Sequence, residues 1–96
     1  IYVNDVCRII YKLIKSESDV YNVATGKSYS IKNILKILKR NKNCPNTIYS
    51  KSNKGEVRTV RISNNKIKRK LKINQNFFTR LDIGINKTFT WYKSNF

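Results

Sequence analysis

Apolar residues repeated at helical spacing are the feature that most limits how this chain can fold. The clearest stretch lies near the C-terminus, where one side of a predicted helix carries Leu81, Ile85, Thr88, Phe89 and Tyr92. Shorter stripes occur three times earlier, separated by polar breaks. In 96 residues they supply one small core of marginal stability, so we expect a single domain over residues 1–96.

Polar residues stand where each of these helices is predicted to begin. Asn4 or Asp5 is the expected N-cap of the first helix, Ser30 of the second, and Ser63 or Asn64 of a brief third one. Thr79 with Asp82 resembles a capping box before the last helix. The buried stripes of the first three helices are then Val6, Ile9, Ile10 and Leu13; Ile31, Ile34, Leu35 and Leu38; and Ile67 and Leu71.

Short segments rich in β-branched residues lie between the predicted helices. They cover residues 1–3, 20–23, 47–50 and 57–62, the last of which is expected as a short strand or an extended segment. Turns or loops are expected at 24–27, 41–46 and 52–55. Strands that alternate with helices are typical of an α/β fold. The sequence therefore predicts an α/β domain in which short strands alternate with amphipathic helices.

Several kinds of chemistry are closed to this sequence. It has no His and only two cysteines, Cys7 and Cys44, which excludes Cys/His zinc sites and Ser-His or Cys-His catalytic pairs. We expect Cys7 to be a small buried residue on a helix and Cys44 to lie in a loop. The acids are few and scattered, and Tyr11 with Lys15 forms no convincing dyad. We predict no catalytic residue and no metal site, and no apolar run is long enough to span a membrane.

The charge of the chain predicts binding to polyanions. Lys and Arg number 21 against 5 Asp and Glu, a formal net charge of +16. Such a chain binds phosphate polymers without specificity, because it releases their counterions. A small basic module that binds nucleic acid through residues 66–72 and 36–42 is therefore one hypothesis for its function. We interpret its aromatic residues mainly as core, although exposed rings can stack on bases.

Four sequence blocks, in order, support a second hypothesis. They are IYVNDV at 1–6, VYNVATGKSYS at 20–30, GEVR at 55–58 and LDIGINKTFTWY at 81–92. Together they resemble the C-terminal part of the extended short-chain dehydrogenase/reductase family, the NAD-dependent nucleotide-sugar epimerases and dehydratases. The resemblance covers essentially the whole chain. It implies a small C-terminal substrate-binding subdomain in the α/β class, with a cytoplasmic location.

The resemblance also implies what this chain lacks. In the family, the glycine-rich turn for NAD or NADP and the catalytic Tyr-x-x-x-Lys pair belong to an N-terminal Rossmann domain, which would precede Ile1. Because the chain begins with Ile rather than Met, we expect it to be a processed chain or a piece of a longer one. Alone it would bind no cofactor and transfer no hydride. Its expected partners are that Rossmann domain and a nucleotide diphosphate sugar.

The resemblance places a pyrophosphate-binding site near Gly55. Arg58 lies close to where the family grips the nucleotide, Asn53 occupies the position of the family's phosphate arginine, and Lys51 and Lys54 flank it. The family's Asp of the following block is Ser63 here. Residues carried over as structural are Asp5, Asn22, Gly26, Ser30, Gly55, Gly84 and Trp91.

Overall fold

Four α-helices make up the regular structure of the protein. The computed structural model describes residues 1–41, 44 and 46–96. The helices are α1 (Val3–Leu13), α2 (Ile31–Leu38), α3 (Asn65–Leu71) and α4 (Leu81–Asn95), with a 3₁₀ turn at Gln75–Phe77. Each coincides with a predicted apolar stripe, so the helical part of the sequence prediction is confirmed.

The predicted α/β class is wrong. The described residues contain no β-strand. The three segments expected as strands are irregular or, at Val3, already helical, and residues 57–62, expected as a short strand or an extended segment, also form no strand. Strand propensity depends on packing against neighbouring strands, and a short segment without a partner leaves its backbone unpaired. Residues 57–62 are exposed throughout, so nothing in this part of the fold covers them. The predicted loop at 41–46 lies partly outside the described residues, which omit 42, 43 and 45.

A small core joins α1, α3 and the 3₁₀ turn. Its buried apolar residues are Ile9, Ile67 and Phe78, with Leu13, Tyr21, Val23, Leu71, Ile73 and Phe77 packed around them. Helices α2 and α4 contact each other beside this core. The Cα radius of gyration is 16.1 Å, against about 12.5 Å for a compact domain of this length. The chain therefore leaves much of its apolar surface uncovered.

Asp5 ties the two ends of the chain together. It is 1% exposed and accepts hydrogen bonds from the backbone N–H of Thr79 at 2.7 Å and from the Thr79 hydroxyl at 2.9 Å. The N-cap of α1 is Tyr2, so the prediction that Asn4 or Asp5 caps this helix is wrong. The carboxylate instead orders the residues that lead into α4.

The other predicted helix starts have mixed outcomes. Ser30 caps α2 by accepting from the backbone N–H of Asn33 at 3.2 Å, as predicted. Asn64 is the N-cap residue of α3, but its side chain makes no capping bond. The capping box before α4 is wrong, because Arg80 is the N-cap and the Thr79 side chain is engaged by Asp5.

Candidate anion-binding cleft

A cleft of about 630 Å³ opens between α2 and the segment that leads into α4. From α2 and the turn after it come Asn33, Lys36, Ile37 and Arg40. Lys36 and Ile37 lie three and four residues after Asn33, which places these three on one side of α2, and Arg40 follows in the turn after the helix. Residues 75–82 form the opposite wall, and the 25–29 segment closes one end. We call this space the cationic cleft.

The electrostatics of the cationic cleft favour an anion. Its walls carry Lys27, Lys36, Arg40 and Arg80 against one carboxylate, Asp82. Arg80 donates to Asp82 Oδ2 at 2.9 Å, so this pair is partly neutralised. Lys27, Lys36 and Arg40 make no ion pair within the part of the chain that the structure describes. Three cations are therefore available to a bound phosphate.

The first turn of α4 adds to this positive potential. Arg80, Leu81 and Asp82 all line the cleft, and the N-cap side chain makes no capping hydrogen bond. The first N–H groups of a helix have no partner within it, and the helix dipole is positive at that end. Both effects support the binding of an anion next to Arg80.

Hydrogen bonds between distant residues hold the cleft walls. Gln75 donates its amide Nε2–H to the Thr25 carbonyl oxygen at 3.1 Å, which joins the 75–82 wall to the 25–29 segment. The Asp5–Thr79 hydrogen bonds fix the entry into α4. These contacts make the cleft a feature of the fold rather than of freely rotating side chains.

An apolar groove of about 470 Å³ adjoins the cationic cleft. The two spaces share Thr25, Lys27, Tyr29, Thr79, Arg80 and Leu81. Beyond these shared walls the groove is mostly apolar, lined by Ile1, Tyr2, Ile34, Leu38, Gly84, Ile85, Thr88, Phe89 and Tyr92. One ligand can therefore place charged groups in the cleft and a less polar part in the groove.

The residues that the resemblance assigned to pyrophosphate lie elsewhere. Asn53 donates its backbone N–H to Glu56 Oε2 at 3.2 Å, and Glu56 N–H returns to the Asn53 carbonyl oxygen at 3.3 Å, closing a turn. Lys51, Lys54 and Arg58 are exposed around this turn. None of these residues lines the cationic cleft or the apolar groove. Their assignment to pyrophosphate stays a prediction.

Two glycines predicted to be structural have clear physical reasons. Gly26 has a φ of +71°, and a Cβ there would lie 2.8 Å from Asn64 Oδ1. Gly84 lies within α4, where a Cβ would lie 3.3 Å from the Tyr2 Cβ. Gly55 also has a positive φ, +84°, in open surroundings.

The remaining residues singled out from the sequence are largely exposed. Asn22 is exposed, and Trp91, 59% exposed, meets the ring of Phe96 edge-on at 5.9 Å. Cys7 lies on α1 as predicted but is exposed rather than buried, and Cys44 is half-buried. An exposed Cys7 does not contribute to the core.

The basic run at 66–72 does not form one free surface. Lys66 donates to Asp19 Oδ1 at 2.7 Å and to the Val20 carbonyl oxygen at 2.9 Å. The Lys66 hydrogen bond, followed by that of the Val20 backbone N–H, lowers the pKa of Asp19. Lys68 and Arg69 face a separate depression. In the second predicted basic surface, Lys36 and Arg40 line the cleft, and Lys42 lies outside the described residues.

The described residues contain no group of three or more Cys, Asp or Glu side chains placed to bind a metal. None of their helices combines the length and apolar character needed to cross a bilayer.

The glycines also do not fit an NAD site. Gly26 lies five residues before α2 with the space beside it filled by Asn64, Gly55 is in an exposed turn, and Gly84 is within α4. A dinucleotide site needs several glycines in one turn that opens directly into a helix.

Sequence reasoning missed the cationic cleft because its walls are far apart in the chain. The available signal was the spacing of Asn33 and Lys36 on one side of α2, with Arg40 four residues after Lys36. Comparison with known proteins finds no match to a family model, a curated protein or a solved structure.

Proposed function

We propose that this chain binds the diphosphate of a nucleotide sugar in the cationic cleft, as the C-terminal substrate-binding region of an NAD(P)-dependent nucleotide-sugar epimerase or dehydratase in the cytoplasm. The observation that carries the proposal is the junction of two unlike spaces. Lys27, Lys36 and Arg40 suit phosphate oxygens, and the adjoining apolar groove suits a less polar group on the same ligand.

The four ordered sequence blocks support this choice among phosphate ligands. They resemble a family whose substrates carry a diphosphate between a nucleoside and a sugar. Such a ligand has two adjacent negative phosphates and an extended shape, which fits a cleft that continues into a groove. The guanidinium of Arg40 can bind phosphate oxygens through two N–H groups, whereas Lys27 and Lys36 act as point charges.

Binding and orientation are the contributions assigned to this chain. The hydride transfer and its acid–base step belong to the Rossmann domain that the resemblance implies, which would hold NAD or NADP. The chain's own part is to hold the diphosphate so that the sugar is presented to that domain, since positioning lowers the entropic barrier of the reaction.

Isothermal titration calorimetry on the 96-residue chain tests the proposal. The ligands are UDP-, dTDP- and GDP-linked hexoses, with inorganic pyrophosphate and a short DNA duplex as comparators. The cleft variant combines Lys36→Gln with Arg40→Gln. The matched control combines Lys54→Gln with Arg58→Gln, which removes the same two charges from the exposed turn near Gly55.

We expect at least one nucleotide sugar to bind saturably and more tightly than pyrophosphate. The cleft variant should lose about tenfold in affinity or more, which is about 1.4 kcal/mol, and the control should change little. A loss of nucleotide-sugar affinity in the control variant alone would show that the binding site is at the Gly55 turn instead. Equal binding of any duplex, with steep salt dependence and no preference among nucleotide sugars, would instead support the basic nucleic-acid module.

A further inference from the structure

Two further depressions extend the cationic cleft into a continuous line of positive charge. The first, of about 410 Å³, adds Arg61 and Lys68 and shares Lys27 and Gln75 with the cleft. The second, of about 350 Å³, adds Arg69 and shares Asn65 and Lys68 with the first. Each junction thus carries a lysine that belongs to both neighbouring spaces. We call this series of three spaces the cationic track.

The cations of the track are available and partly fixed in position. Arg61 donates its Nε–H to the Gly26 carbonyl oxygen at 2.9 Å, which leaves the two terminal nitrogens of its guanidinium for a ligand. The ion pairs of the described residues involve Arg8, Lys66 and Arg80. Of the track cations, only Arg80 is among these. Apart from Arg80, the cations of the track therefore lack carboxylate partners in the described part of the chain.

A linear polymer of phosphates fits this row better than one small anion. A single phosphate would engage one depression, whereas a phosphodiester chain meets a new cation at each step along the row. A flexible single strand can follow three concave spaces in succession, whereas a duplex is stiff over about 150 base pairs. Tyr29, 40% exposed, lies where the track meets the apolar groove and offers a ring on which a base can stack.

We propose that the cationic track binds single-stranded nucleic acid. This activity goes beyond the proposed nucleotide-sugar site, because it depends on Arg61, Lys68 and Arg69, which lie outside the cationic cleft. It also differs from binding by a general basic surface, because it predicts that cations outside the track contribute little to the affinity for a single strand.

Fluorescence anisotropy with a labelled 15-nucleotide oligo(dT) tests the proposal on the full chain between 50 and 200 mM salt. The track variant combines Arg61→Gln, Lys68→Gln and Arg69→Gln. The matched control removes three charges from other exposed positions, through Lys12→Gln, Lys15→Gln and Lys32→Gln. A second variant with only Lys68→Gln and Arg69→Gln keeps the Arg61 hydrogen bond, in case its loss affects folding. A DNA duplex of the same length is the competing ligand.

The track variant should bind oligo(dT) at least tenfold more weakly at 100 mM salt. Its plot of log affinity against log salt should be shallower by about 2, since each lost phosphate contact on a single strand removes about 0.7 from the slope. The control variant should lose less than half as much affinity for oligo(dT), and its salt slope should change by less than half as much. Equal losses in both variants, or a duplex that binds as tightly as oligo(dT), would overturn the proposal.

The same variants separate this proposal from the nucleotide-sugar site. The track variant should keep the nucleotide-sugar affinity of the unmodified chain, because its three substitutions lie outside the cleft. If no nucleotide sugar binds but the track variant alone loses oligo(dT), the proposed function fails and the track stands. If the track substitutions do not change oligo(dT) binding while nucleotide sugars bind in the cleft, the track proposal fails and the proposed function stands.

Discussion

Replacing Asp5 with Ala should cost this protein a large part of its stability. The substitution removes the acceptor for two hydrogen bonds, from the Thr79 backbone N–H at 2.7 Å and from its hydroxyl at 2.9 Å. Each hydrogen bond to a charged group contributes about 1.5–3 kcal/mol, and donors left buried add a desolvation cost. We expect a total loss of about 3 kcal/mol, which is a large share of the roughly 5 kcal/mol that a small domain with so limited a core can have.

Urea unfolding followed by circular dichroism at 222 nm measures this loss. Asp5→Asn keeps one oxygen acceptor and should lose about half as much, and Thr79→Val, which removes only the hydroxyl, should lose about 1.5 kcal/mol. Asn4→Ala is the matched control on the same turn of α1, where the exposed Asn4 side chain makes no capping bond. It should change the free energy of unfolding by less than about 0.5 kcal/mol.

Either of two results would contradict these expectations for Asp5 and Asn4. A loss below about 1 kcal/mol in Asp5→Ala would mean that the contact with Thr79 contributes little. A loss of about 1 kcal/mol in Asn4→Ala would mean that Asn4, one of the two N-caps that the sequence predicted, caps α1 after all.

Two further predictions follow from local geometry. Gly26→Ala should lower the free energy of unfolding in urea by about 2 kcal/mol or more, because a Cβ 2.8 Å from Asn64 Oδ1 adds to the strain of a φ of +71°. Gly55→Ala has open space around it and should lower this free energy by only about 1 kcal/mol. Equal losses would show that the Asn64 contact does not matter. The pKa of Asp19 is lowered below 3.8 by the hydrogen bonds from Lys66 and from the Val20 backbone N–H. The contribution of Asp19 to stability should therefore be fully present above the pKa of this carboxyl in the unfolded state, and should be lost as the pH falls through its pKa in the folded state. An NMR titration of the Asp19 carboxyl should show the lowered midpoint, and Lys66→Ala should bring it back toward 3.8; a midpoint that Lys66→Ala leaves unchanged would rule out the Lys66 hydrogen bond as the main cause.

The helices were predictable because their signal is local. The stripe from Leu81 to Tyr92 and the Ser30 cap of α2 each depend on residues within one or two turns. The strands failed for the opposite reason: residues 20–23 and 57–62 have strand-forming side chains, but a strand also needs a partner elsewhere in the chain. Asp5 shows the same limit, because its partner Thr79 lies 74 residues away.

The candidate site was less predictable than the fold. The sequence directed attention to the turn around Gly55, where the exposed Arg58 and Lys54 stand close together in the chain. The cationic cleft instead joins Lys36 on α2 and Arg40 in the turn after it with Arg80 before α4, and no local pattern connects Arg80 with the other two. Only the packing of α2 against α4 brings these charges to the same space.

Chemical-shift mapping by ¹⁵N–¹H NMR shows directly whether a nucleotide sugar binds in the cationic cleft. The chain is titrated with whichever UDP-, dTDP- or GDP-linked hexose binds in calorimetry, at physiological salt. We predict saturable shifts of the backbone amides at Lys27, Lys36 and Arg80–Asp82, with the amides of residues 51–58 unchanged. Shifts confined to residues 51–58, or weak non-saturating shifts at lysines over the whole surface, would contradict it.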